Sequence, residues 1–205
     1  IFKDLGVDYL IEGGQTMNPS TEDMLNAIAK VNADTIFILP NNKNIIMAAN
    51  QAAELVEDKK IVVIPSKSVP QCISAMVEFN DKKSAEANEK AMNKAIGRVT
   101  SGQLTYAVRD TEIDGIEIKK DDILGMVEGK IVTVGKDIDD VLNRVVSQMV
   151  DEDTEFLNVY YGKEIKKPQA DVMLKALETK YADDEIEVSF KKGGQPLYYY
   201  IISAE

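Results

Sequence analysis

Short apolar runs alternate with amphipathic segments over residues 1–79. The runs lie at residues 9–11, 35–39 and 61–64, and the last two are continuous and β-branched, which is typical of buried parallel strands. A polar turn follows each run, and then a segment whose apolar side chains recur on one helical face. Asn18 is the expected N-cap of the first helix, with Pro19 at the first helical position. This alternation predicts a parallel sheet with right-handed crossovers.

From residue 80 onward the pattern changes. A helix is predicted over residues 84–96, and apolar and polar side chains then alternate over residues 104–108, as in a half-buried antiparallel strand. Asp114-Gly115 predicts a tight hairpin, and a second strand pair is predicted over residues 126–134, broken at Gly129. Asp137 is the expected cap of the next helix.

The remaining segments are a strand over residues 156–160, a helix over 168–181, a strand over 186–190 and a final strand over 197–202. We therefore predict an α/β fold of two subdomains. Residues 1–79 form the first subdomain, with a parallel sheet, and residues 80–205 form the second, with a mixed sheet.

Composition narrows the class of protein. The 205 residues are 44% hydrophobic and 29% charged, as in an ordinary globular protein. The net charge of −11, without a large basic block, argues against a nucleic acid partner. No run is long enough for a membrane span, and no signal peptide is evident, so we expect a cytoplasmic location. Leu5-Gly6 is typical of a helix end, and we expect a piece of a longer chain.

Several catalytic inventories are absent from the sequence. Without histidine, no Ser-His or Cys-His pair and no imidazole metal site can form. Neither a P-loop nor a complete dinucleotide fingerprint occurs. Cys72 lies among apolar residues and is interpreted as a buried thiol rather than a nucleophile. Acidic pairs such as Asp121-Asp122 lack the spacing of a calcium loop and are interpreted as turn residues. We predict no catalytic residue, no metal and no cofactor.

Polar loops that follow the first two predicted strands are the better candidates for a binding rim. Ligand sites in parallel sheets form where strands end and helices begin, and backbone amides there can bind a carboxylate or phosphate. The alternative is that these residues only cap helices. Tyr198 and Tyr200 extend the candidate set, because tyrosine is enriched at interfaces, although it is equally ordinary on a packed sheet. The candidate partner or ligand rim is Gln15, Thr16, Asn18, Asn41, Asn42, Lys43, Asn44, Tyr198 and Tyr200.

Three long motifs resemble a known family. The runs IEGGQTMNPSTED at residues 11–23, LPNNKNII at residues 39–46 and GGQPLYYY at residues 193–200 resemble the carboxy-terminal region of FakA, the kinase component of bacterial fatty acid kinase. That family is also called dihydroxyacetone-kinase-like. The resemblance implies a non-catalytic module that binds FakB, a fatty acid carrier, while the kinase and middle domains lie elsewhere in the parent chain.

The same residues also resemble FakB itself, which has a DegV-like fold of two α/β subdomains. In DegV-like carriers, hydroxyl groups in these loops bind the fatty acid carboxylate. Asn41, Asn42 and Asn44 stand here in place of such residues, and the histidine loop of those carriers has no counterpart. The resemblance therefore leaves a second possibility open, a DegV-like domain that binds a fatty acid or another small molecule.

Overall fold

The computed structural model describes residues 1–12 and 18–205. The chain divides into two compact units, Ile1–Arg98 and Val99–Glu205. This boundary lies later than the predicted division between residues 79 and 80. The difference arises because the helix that follows residue 84 packs in the first unit, where Met92 shares an apolar cluster with Val62 and Ala75.

The elements of the first unit alternate helix and strand. They are α1 Thr21–Lys30, β1 Thr35–Ile38, α2 Lys43–Leu55, β2 Lys60–Val63, α3 Val69–Glu78 and α4 Ala85–Ile96. The second unit contains β3 Thr100–Tyr106, β4 Thr111–Ile113, β5 Ile116–Ile118, β6 Ile123–Val127, β7 Lys130–Gly135, α5 Ile138–Met149, β8 Phe156–Tyr161, α6 Lys167–Lys180, β9 Glu187–Lys192 and β10 Tyr200–Ala204.

A two-stranded parallel sheet forms the centre of the first unit. Its strands β1 and β2 pair with Ile36 opposite Ile61, and apolar side chains project from both faces of the pair. One face packs against α1 and α2 through a cluster that includes Met24 and Ala52. The other face packs against α3 and α4. The predicted parallel sheet is therefore confirmed, with a helical layer on each face.

Two sequence expectations in the first unit are corrected by the structure. Residues 9–11 do not form a strand, and no hydrogen bond joins the described residues 8–12 to the backbone of β1. Tyr9 and Leu10 are substantially exposed, so their apolar character does not reflect burial in the sheet. The first helix begins at Thr21 with Ser20 as its N-cap, two residues later than predicted.

A six-stranded mixed sheet forms the second unit, in the order β7-β6-β3-β10-β8-β9. Neighbouring strands are antiparallel except for β8 and β9, which run parallel. Helices α5 and α6 contribute to one large core, in which Val145 and Leu177 are completely buried. The predicted mixed sheet is confirmed. The final strand, however, begins at Tyr200 rather than at residue 197, because Leu197 has a positive φ of 67° that is incompatible with extended backbone.

Both predicted hairpins are present. Asp114 and Gly115 have φ values of 52° and 78° between β4 and β5, and Glu128 and Gly129 have φ values of 49° and 77° between β6 and β7. Two-residue turns with both φ angles positive match the twist of antiparallel strands, which explains the Asp-Gly and Glu-Gly sequences. Among the described residues, no helix is both long and apolar enough to cross a membrane.

Candidate functional site

The carboxyl ends of β1 and β2 lie at one edge of the parallel sheet, where helices α2 and α3 begin. The loop before α1 reaches the same edge, because the Asn42 side-chain amide donates a hydrogen bond of 3.2 Å to Oδ1 of Asn18. Thr21 of α1 also donates to Gln51 of α2 at 3.0 Å. The starts of α1 and α2 are thus brought together, as the predicted rim requires.

Side chains cap the three helices that begin here. The Asn42 carboxamide oxygen accepts hydrogen bonds from the backbone N–H groups of Asn44 and Ile45, at 2.9 and 3.2 Å. Ser68 accepts from the backbone of Gln71 at 3.2 Å. Ser20 forms a capping box with Asp23, whose carboxylate accepts from the Ser20 N–H at 2.8 Å. Capping thus accounts for Asn42, whereas Asn18 is not the cap that its sequence position predicted.

These caps also set the electrostatics of the edge. Hydrogen bonds from the Ser20 backbone and side chain lower the pKa of Asp23, so its carboxylate stays charged beside the start of α1. Lys43 and Lys67 are exposed at the starts of α2 and α3. The edge therefore presents amide groups and mixed charges that can form hydrogen bonds with a partner.

A buried polar cluster lies beneath the rim. The Ser66 hydroxyl is fully buried and donates to the Pro40 carbonyl at 2.5 Å. The Cys72 sulfur lies 3.1 Å from the same carbonyl and 3.4 Å from the Ser66 oxygen. Burial raises the pKa of Cys72 to about 11, so the thiol stays protonated and unreactive near neutral pH. The cluster joins the loops after β1 and β2 and fixes the base of the rim.

Sequence reasoning placed Ser66 only among loop residues and missed this role. The signal available was a serine immediately after a buried strand, with a proline at the corresponding end of the neighbouring strand. A proline carbonyl has no partner in a helix or strand at that point, so it needs a nearby donor.

The remaining predicted rim residues of the first unit are placed as follows. Asn41, Lys43 and Asn44 are exposed on the loop after β1 and on the first turn of α2. Gln15 and Thr16 lie outside the described residues. The clustering of Gln15 and Thr16 with Asn41 and Asn42 therefore stays a prediction.

The two tyrosines of the second unit differ in exposure. Tyr198 is half-buried, but Tyr200 is completely buried in the core, with its ring 6.1 Å from that of Phe190. Burial raises the pKa of Tyr200 above its usual range. The candidate role of Tyr200 on a surface rim is corrected, because the first residue of β10 turns its side chain into the core.

The loop at residues 193–199 closes over the end of β8. The backbone N–H groups of Gly193 and Gly194 both donate to the Tyr161 carbonyl, at 3.0 and 3.1 Å, and Gln195 donates to the Tyr160 carbonyl at 2.8 Å. The Tyr199 N–H donates to the Leu104 carbonyl at 2.9 Å. These bonds direct the chain into the gap between β3 and β8, so this glycine-containing motif has a structural role.

The first unit also contains an apolar cavity of about 230 Å³. Side chains of α1, β1 and α3 line it together with the segment at residues 2–11, and they include Met24, Phe37 and Met76. Among the described residues, no group of three His, Cys, Asp or Glu side chains is placed to hold a metal ion.

Comparison with known proteins identifies the family. The FakA-like C-terminal family of fatty acid kinase proteins matches residues 1–205. The chain belongs to this family. It is 50% identical to protein YloV of Bacillus subtilis (strain 168) over 205 residues, which is all of this chain and 36% of that protein. It is 46% identical to an uncharacterized protein of Staphylococcus aureus (strain USA300) over the same span, or 37% of that protein. The chain thus spans little more than a third of these relatives.

Solved structures of more distant sequence share the fold. A DegV family protein of Corynebacterium glutamicum has a TM-score of 0.65 at 14% identity, covering 99% of this chain and 90% of that one. A fatty acid kinase B3 protein of Streptococcus pneumoniae, loaded with linoleic acid, has a TM-score of 0.61 at 13% identity, covering 91% and 76%. The dihydroxyacetone kinase of C. freundii has a TM-score of 0.61 at 12% identity, covering 91% and 41%. The DegV-like fold predicted from the sequence is therefore confirmed.

Proposed function

We propose that this chain is the non-catalytic carrier-docking module of a fatty acid kinase. It binds a FakB-type fatty acid carrier so that a kinase domain elsewhere in the parent protein can phosphorylate the bound fatty acid. The observation that carries the proposal is the family match over all 205 residues. The B. subtilis relative, of which the chain covers 36%, leaves room for separate kinase and middle domains.

The chemistry of the rim supports binding rather than catalysis. Asn42 forms hydrogen bonds through its amide, Cys72 is buried with a raised pKa, and the sequence contains no histidine and no nucleotide-binding motif. Exposed Asn41, Lys43 and Asn44 can donate hydrogen bonds to a partner without disturbing the caps beneath them. The module needs no cofactor of its own in this proposal.

Biolayer interferometry of the immobilised chain against the cognate carrier tests the proposal. We expect saturable binding, weakened at least tenfold by the double substitution Asn41→Ala and Lys43→Ala with an unchanged thermal midpoint. Lys90→Ala, which removes one charge from an exposed position of α4, is the matched control and should bind normally. If the full-length parent binds the carrier and this chain does not, docking resides elsewhere in the parent.

A second candidate function is a domain that binds a fatty acid or another small apolar molecule. The apolar cavity of about 230 Å³ in the first unit favours it. Native mass spectrometry of chain purified from cells distinguishes the two functions. A retained acyl chain in most molecules supports the second candidate, whereas a mass equal to that of the polypeptide alone, with carrier binding intact, supports docking.

A further inference from the structure

Strand β9 lies at the edge of the six-stranded sheet and has β8 as its only strand neighbour among the described residues. The Glu187 N–H donates to the Glu155 carbonyl at 2.9 Å, and the Gly193 N–H donates to the Tyr161 carbonyl at 3.0 Å. Backbone groups of successive residues point to opposite sides of a strand. Those of Val188, Phe190 and Lys192 therefore face the open edge.

The side chains of β9 are self-complementary in one antiparallel arrangement. If two copies of the strand meet about a two-fold axis at Ser189, Glu187 of each copy stands opposite Lys191 of the other. Val188 then stands opposite Phe190, on the face that packs against the core. The arrangement also pairs outward backbone groups with outward backbone groups, because Val188 and Phe190 become a hydrogen-bonded pair.

Neighbouring registers lack this match. Centring the axis on Phe190 places Val188 opposite Lys192, and centring it on Val188 places Glu187 opposite Ser189. The other edge strand, β7, has the sequence KIVTVG with no acidic residue, so two-fold pairing there brings no ion pair. Complementary charge therefore singles out β9 and one register.

We propose that β9 pairs with β9 of a second copy of this chain, about a two-fold axis at Ser189, and joins the two six-stranded sheets into one. The pairing satisfies the open backbone groups, places two Glu187–Lys191 ion pairs across the junction and extends the apolar face through Val188 and Phe190. Edge strands that carry lysine usually resist such pairing. Here the lysine has an acidic partner at the symmetric position.

Cysteine cross-linking tests the register directly. Residues opposite each other in a non-hydrogen-bonded antiparallel pair have Cα atoms about 4.5 Å apart, within the range of a disulfide. Ser189→Cys should therefore form a disulfide-linked dimer under mild oxidation. Native Cys72 is 2% exposed and should not interfere. Lys191→Cys, two residues along the same strand, is the matched control and should remain largely uncross-linked.

Sedimentation of the 205-residue chain tests the association itself. We expect a monomer–dimer equilibrium that Glu187→Lys or Lys191→Glu weakens roughly tenfold at low salt. The double reversal should restore the affinity of the parent chain. A chain that stays monomeric at high concentration overturns the proposal. So does a dimer in which Ser189→Cys cross-links no better than Lys191→Cys, since that dimer uses another surface.

Discussion

At the scale of single residues, the loop before β10 contains two positive φ angles of different origin. Gly194 has φ +68° with open space around the position of a Cβ atom, so only the backbone conformation opposes a side chain there. Leu197 has φ +67°, and the Tyr198 N–H closes a γ-turn onto the Pro196 carbonyl at 2.8 Å. The loop thus uses one residue suited to the left-handed region and one that is not.

Gly194→Val should destabilise the chain by about 1–3 kcal/mol, because a β-branched residue is disfavoured in the left-handed region. Urea unfolding followed by circular dichroism measures the change. Gly97→Ala is the matched control, since Gly97 has an ordinary φ of −73° and its added Cβ would make only ordinary contacts. Unfolding of Gly194→Val at the same urea concentration as the parent chain would mean that the loop adapts without strain.

Leu197→Gly should have the opposite effect. Removing the side chain relieves about 1–2 kcal/mol of left-handed strain, and the greater freedom of glycine in the unfolded chain offsets part of that gain. We expect a net stabilisation of about 0.5–1 kcal/mol by the same urea measurement. A loss of stability would show that packing of the Leu197 side chain, which is 42% exposed, outweighs the backbone strain.

At the scale of elements, an ion pair joins β2 to α4. The Lys60 ammonium group donates a hydrogen bond to the Glu86 carboxylate and lowers the pKa of Glu86 from 4.5 to about 2. A folded-state pKa below the unfolded value stabilises the fold above the unfolded pKa. That contribution is lost as the pH falls from about 5 towards 2.

Glu86→Gln should therefore reduce stability near neutral pH by a small amount, because the pair is exposed to solvent. The difference in unfolding free energy between Glu86→Gln and the parent chain should shrink as the pH falls below about 4.5. Denaturant unfolding across this pH range measures it, with Glu89→Gln on the same helix as the charge control. A difference that is constant with pH would remove the ion pair as its cause.

Local chemistry explains which elements could be predicted. The hairpin at Asp114-Gly115 and the helix start at Asn42 follow from residues with strong, specific backbone preferences, and both are present. The strand expected over residues 9–11 failed because apolar character alone does not specify pairing. The late start of β10 failed for a different reason, since nothing in the sequence of Leu197 indicates a left-handed conformation.

The candidate site was predicted in part for the same reason. Asn18 and Asn42 meet because parallel strands end at one edge and their helices begin there, which the β-α order already implied. The burial of Tyr200 could not be read from three consecutive tyrosines, because the facing of a strand depends on where it begins. The buried Ser66–Pro40 contact depends on the meeting of two loops distant in sequence.

At the scale of the whole molecule, the absence of a nucleotide-binding motif leads to a direct prediction. The chain incubated with ATP, Mg²⁺ and a loaded carrier should transfer no phosphate, because phosphoryl transfer requires a phosphate-binding loop and bound metal. Release of phosphate and the mass of the acyl product are the measurements, with the full-length parent as the positive control. Carrier-dependent turnover of ATP by the chain alone would contradict the prediction.

The position of β10 has a consequence for biosynthesis. This strand, at residues 200–204, lies between β3 and β8 and hydrogen-bonds to both, so its neighbours cannot form a continuous sheet without it. On the ribosome, residues 99–199 must therefore emerge with their central slot empty and their apolar faces incompletely covered. The second unit can complete its fold only after residue 204 has left the exit tunnel, which exposes it to chaperones and proteases for longer than the first unit.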